Sequence, residues 1–134
     1  MMEDGSPMYK SVLLVDTSED LRSLYQKELQ AEGYRVLTAY DGTEAVQALE
    51  KSRVDLVYLH LTDTGDEALD KLSQIARHVE NLKIVISTDF SGFHLDFRTW
   101  VADACVLRSA DLSELKNTIR KLLHNPTTLR KNLN

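Results

Sequence analysis

Short apolar runs alternate with amphipathic stretches along most of the chain. Val12-Leu13-Leu14-Val15 is a continuous apolar run closing on polar residues, the pattern of a strand buried on both faces. Thr17 and Asp20 have the Thr-x-x-Asp spacing of a capping box. They predict a helix with Leu21, Leu24, Tyr25 and Leu29 on its apolar face and Gly33 as its C-terminal stop. Tyr34 to Ala39 reads as a second strand, and Asp41-Gly42-Thr43-Glu44 as the cap of a second helix carrying Ala45, Val46 and Leu49. Val54 to Leu61 and Leu82 to Ser87 are the third and fourth strands. Between them, Glu67 to Val79 places Ala68, Leu69, Leu72, Ile75 and Ala76 on one helical stripe. Cys105-Val106-Leu107 is the fifth strand. Asp111 and Glu114 cap a last helix with Leu115, Ile119, Leu122 and Leu123 inward, which Asn125-Pro126 ends.

Strands alternating with helices predict an α/β protein, a parallel sheet covered on both faces and joined by right-handed crossovers. In such sheets chemistry gathers at the carboxyl ends of the strands. The residues in question here are therefore Asp16, Thr17, His60, Thr88 and Arg108. A length of 134 residues fits one domain. It is expected over residues 10–124, after a disordered lead-in or expression remnant at 1–9 and before a tail or linker at 125–134.

Charge and composition narrow the function. A net charge of -5 gives no basic footprint for nucleic acid, although Arg120 to Asn134 holds four Lys/Arg and no acid. That stretch reads as a solvated helix end. No apolar run is long enough for a membrane helix or a signal peptide, so a cytoplasmic protein is expected. The single cysteine, Cys105, excludes an intrachain disulfide and, within Ala104-Cys105-Val106-Leu107, is expected to be a small buried hydrophobe. His60, His78, His94 and His124 are too far apart in sequence to suggest zinc. Asp63, Asp66, Glu67 and Asp70 fit the acidic start of a helix better than a metal site.

Leu14-Val15-Asp16, Glu32-Gly33-Tyr34-Arg35-Val36, Ala39-Tyr40-Asp41-Gly42 with Glu44-Ala45, Asp55-Leu56-Val57, Ile86-Ser87-Thr88 and Ala102-Asp103-Ala104 occur in an order and spacing that is specific as a set. Over about residues 11–123 the chain resembles the receiver domain of two-component response regulators. The resemblance implies a flavodoxin-like (βα)5 fold, a doubly wound five-stranded sheet in the order 2-1-3-4-5. It implies phosphoryl transfer from a histidine kinase to an aspartate ending the third strand. Acids after the first strand help hold Mg²⁺, a hydroxyl follows the fourth strand, and a lysine follows the fifth.

Several of those groups are altered. His60 stands where the resemblance places the acceptor, and an imidazole neither forms an acyl phosphate nor suits Mg²⁺. The acid pair becomes Asp16-Thr17, Thr88 keeps the hydroxyl but is followed by Asp89, and Arg108 replaces the lysine. Asp16 and Arg108 are expected to pair with each other, with Mg²⁺ binding lost. His60 is expected to hydrogen-bond to Asp16 or a backbone carbonyl. Cys105 occupies the position of the family's state-reporting aromatic, and Ser109 that of a proline. The Asp89-Phe90-Ser91-Gly92-Phe93 start predicts a short or irregular fourth helix. Phe90, Phe93, Phe97, Trp100 and Cys105 are the candidates for a partner surface. The expectation is a pseudo-receiver, not an enzyme, acting by phosphorylation-independent contact with a histidine kinase, another regulator, an attached output domain or a second copy. The alternatives are an atypical phosphoryl acceptor using Asp63 or Asp66, and an anion or small-molecule sensor near Arg108.

Overall fold

Five short strands lie side by side, the inner three buried on both faces at nearly every position and the two at the edges more exposed. They are β1 (Ser11–Val15), β2 (Arg35–Ala39), β3 (Leu56–His60), β4 (Lys83–Thr88) and β5 (Ala104–Leu107). The computed structural model describes residues 9–61, 73–75, 82–89, 102–109 and 111–124. All pairings are parallel and the order is β2-β1-β3-β4-β5, as the resemblance implies. Three helices are described in full: α1 (Glu19–Ala31), α2 (Gly42–Lys51) and α3 (Ser113–His124). Of the helix expected between β3 and β4, residues 73–75 are described and helical, with Ile75 fully buried. The expected irregular fourth helix lies outside the described residues, as do most of the lead-in and all of the tail.

Side-chain alternation along the strands splits the core in two. Leu13, Val15, Val57, Leu59, Ile84 and Ile86 face α2 and Ile75, whereas Val12, Leu14, Leu56, Tyr58, Val85 and Val106 face α1 and α3. Burying an aliphatic side chain of this size contributes roughly 1.5–3 kcal/mol. The central strands β1 and β3 are buried at every position, which explains their unbroken apolar runs.

Local signals behave largely as read. Asp41 caps α2 by accepting from Glu44 N–H at 3.0 Å, and Glu44 accepts from Tyr40 N–H at 2.6 Å. Gly33 closes α1 at φ 99°, with its N–H on Gln30 C=O and Tyr34 N–H on Leu29 C=O. Only glycine takes that conformation without strain. Asp111 precedes α3 and accepts from Ser113 N–H at 2.9 Å, which holds its carboxyl below the usual range.

Three readings are corrected. The cap of α1 is Ser18, whose Oγ accepts from Leu21 N–H at 3.3 Å, while Thr17 is exposed. Asp16 draws Ser18 N–H onto its own carboxylate at 2.9 Å, and this shifts the helix start by one residue. Leu24 is 38% exposed, at the margin of the α1 face. Cys105 is exposed, because β5 is an edge strand on which Val106 points to the α1/α3 core and its neighbours Cys105 and Leu107 point to the other face.

Candidate functional site

The carboxyl ends of β1, β3 and β4 meet the segment after β5. Hydrogen bonds from Leu61 N–H to Ser87 C=O and from Arg108 N–H to Thr88 C=O, both 2.9 Å, hold these ends level. Two polar centres form there.

The first is ionic. Arg108 reaches back across the sheet and sets one guanidinium nitrogen 2.7 and 2.6 Å from the two oxygens of Asp16. The expected pairing is present. Both side chains are withdrawn from water, 1% exposed for Asp16 and 14% for Arg108. Asp16 Oδ1 also accepts from Ser18 N–H, and two further contacts fix its backbone: its N–H donates to Ala39 C=O at 3.2 Å and its C=O accepts from Arg22 at 2.6 Å. Arg108 Nε is buried and has no hydrogen-bond partner among the described residues.

The second centre carries no formal charge while His60 is neutral. His60 and Tyr58 are two apart on β3 and share a face, and Ser87 is the register partner of His60 on β4. Ser87 Oγ lies 2.7 Å from His60 Nδ1 and 2.7 Å from Tyr58 Oη. The Tyr58 ring meets Tyr25 of α1 edge-on at 5.5 Å, and the Tyr25 hydroxyl donates to Ser109 C=O at 2.8 Å. Burial pushes the Tyr58 phenol far up, so it stays protonated. Burial, followed by the nearby Arg108 charge, holds the His60 imidazole below its ordinary value, so it favours the neutral form. The other ring nitrogen, Nε2, faces Asp89 Oδ2 at 3.5 Å, too long for a well-formed hydrogen bond.

The expected partner of His60 is thus corrected: it is a serine hydroxyl and neither Asp16 nor a carbonyl. Thr88 is buried at the strand end, next to Ser87 but on the opposite face. Thr17 stands beside Asp16 in sequence but is exposed. Cys105 is exposed on β5, two residues from Leu107, itself 49% exposed. Phe90, Phe93, Phe97 and Trp100, and the alternative acceptors Asp63 and Asp66, lie outside the described residues.

Ser87, Tyr58, Tyr25 and Asp89 were not picked out as site residues. Their signal was available: a serine and a tyrosine inside otherwise aliphatic strands must find partners when buried. Asp55 and Asp103, which carried the resemblance, turn out to be pegs at the opposite edge of the sheet. Asp55 accepts from Ser11 N–H at 2.8 Å, and Asp103 from Ile84 N–H at 2.7 Å. Among the described residues no three His, Cys, Asp or Glu side chains cluster as metal ligands, and no helix is long and apolar enough to cross a membrane.

The response regulator receiver domain family matches residues 12–120. Sporulation initiation phosphotransferase F of Bacillus subtilis is 25% identical over 118 residues, covering 87% of this chain and 95% of that protein. The response regulator TrrA of Thermotoga maritima, solved in complex with Mg²⁺–BeF, superposes with a TM-score of 0.78 at 35% identity, over 85% of this chain and 99% of TrrA. TrrA in complex with the histidine kinase ThkA gives a TM-score of 0.76 at 35% identity, over 85% and 98% of the two chains. With five parallel strands in this order and the family matched across nearly all of them, the chain belongs to the response regulator receiver domains, the signalling domains of two-component systems.

Proposed function

We propose that this receiver domain signals without accepting a phosphoryl group, by docking to protein partners in the state in which it folds. The observation that carries the reading is the Asp16–Arg108 pair. Phosphoryl transfer to a carboxylate depends on cations that spread charge over the transferring oxygens. Mg²⁺ needs hard oxygen ligands in near-octahedral geometry. The described residues do not fit that ion. Both oxygens of Asp16 are engaged by one guanidinium, and the end of β3 offers an imidazole whose Nδ1 is tied to Ser87.

The same pair weighs against an anion sensor, because Arg108 is already neutralised. A histidine kinase, another regulator or an output domain is the kind of partner this reading implies. TrrA, solved bound to the kinase ThkA, is a precedent for such a contact. Pairing with a second copy is the remaining form of the same reading.

The test is incubation with Mg²⁺ and acetyl phosphate, followed by intact mass, with Mg²⁺ and beryllofluoride titrated in parallel against Trp100 fluorescence. No adduct and no saturable change are expected. A stoichiometric phosphoryl adduct overturns the reading. The double variant His60→Asp, Thr17→Asp restores two carboxylates beside Asp16 and is expected to regain Mg²⁺ binding.

A further inference from the structure

Two contacts of 2.7 Å converge on one hydroxyl, with Tyr58 Oη on one side of Ser87 Oγ and His60 Nδ1 on the other. Serine has a single proton to donate, so the chain must have a direction. Two observations set it. Tyr58 remains protonated, and Ser87 is its hydrogen-bond partner among the described residues. At the other end, Nε2 of the fully buried His60 side chain faces the Asp89 carboxylate at 3.5 Å. A proton on Nδ1 would leave the Nε2 lone pair opposite the negative charge of Asp89. The opposite polarity sets no two lone pairs against each other: Tyr58 donates to Ser87, Ser87 donates to Nδ1, and Nε2–H faces the Asp89 carboxylate at 3.5 Å, an electrostatic contact and not a hydrogen bond.

We propose that Tyr58–Ser87–His60 is a one-way hydrogen-bond chain that fixes His60 as the Nε2–H tautomer and makes the end of β3 a latch on Asp89, the first residue after β4. The proposal rests on the phosphorylation-independent reading and extends it to what holds the state. The exit of β4 is held by a donor belonging to the chain itself. His60 is then a positioning residue. The groups around it are Asp16 from the end of β1, Tyr58 on its own strand, Ser87 and Asp89 from β4 and its exit, and Arg108 from beyond β5.

Long-range ¹H–¹⁵N correlation on histidine-labelled protein near neutral pH reads the tautomer directly. Protonated Nε2 with bare Nδ1 is expected. A proton on Nδ1, or an imidazolium, overturns the latch. Ser87→Ala removes the donor to Nδ1 and is expected to raise the Nδ1–H population and to speed exchange of the Asp89 amide several-fold. Tyr58→Phe keeps the ring and the Ser87–His60 contact, and is expected to act in the same direction more weakly. It remains informative should Ser87→Ala fail to fold. Unchanged tautomer and exchange in the folded variants overturn the proposal. A phosphoryl adduct on the wild-type protein sinks the phosphorylation-independent reading whatever the tautomer. A wrong tautomer with no adduct sinks the latch alone.

Discussion

The two polar centres at the strand ends are neighbours, yet they are built on different physics. Asp16 and Arg108, 92 positions apart, form a charged pair across the sheet. Tyr58, Ser87 and His60 form a neutral chain between adjacent strands. The ion pair is stable only as a pair, because each charge alone would lie in a poor solvent. The chain is stable only as a sequence of donors and acceptors, because each hydroxyl alone would be unsatisfied. On the proposed reading, the comparison separates two ways of closing a receiver pocket, by pairing the charge that would attract a cation and by filling the strand end with an imidazole.

Breaking the ion pair is the harsher test. Arg108→Ala leaves the Asp16 carboxylate, whose side chain is 1% exposed, without its partner. The expected loss is about 3–5 kcal/mol, read from urea or guanidinium unfolding. A loss within about 1 kcal/mol would place this pair with the weak surface bridges. Exchanging both residues for apolar ones of similar volume is expected to cost far less than the two single changes added together.

In the neutral chain, Ser87→Ala strands the Tyr58 hydroxyl and His60 Nδ1 together. About 1–3 kcal/mol is expected for a buried polar group left unsatisfied. If Ser87→Ala proves as costly as Arg108→Ala, the contrast between the two centres fails.

Acid separates them further. His60 is held below its ordinary value, so the folded state resists protonation that the unfolded chain accepts. Its contribution is therefore fully present above the unfolded value of about 6.5 and is lost as pH falls from there toward the folded value, at no more than about 1.4 kcal/mol per pH unit. His60→Gln is expected to flatten that part of the stability–pH curve. An unchanged slope would mean that His60 is not the group responsible.

The smallest effect serves as a control beside the site. Ser18→Ala removes the α1 cap but keeps the N–H that donates to Asp16. A loss of about 1 kcal/mol, with the ion pair intact, is expected from denaturant unfolding.

Much of the fold was legible because its signals are local. Strands buried on both faces read as aliphatic runs, Asp41 and Gly33 mark helix ends, and each acts through neighbours a few residues away. The Asp16–Arg108 pair was legible too, because the strand-end rule puts residues distant in sequence at one edge. The misreadings share a cause. Thr17 and Ser18 are equally good capping residues, and the choice fell to Asp16, itself fixed by Arg108 and the backbone of β2. Cys105 looked interior because its run is apolar, but apolar composition does not say whether a strand is central or at the edge.

The sequence alone determined which chemical groups stand at the strand ends: an imidazole, one carboxylate, a hydroxyl and a guanidinium. Side-chain identity and a period of two suffice for that. Tertiary structure decided how they are joined, because the β3–β4 register sets His60 beside Ser87, and only that pairing sends the histidine to a neutral hydroxyl while the carboxylate goes to the arginine. Register comes from the packing of whole strands, and no single position along the chain encodes it.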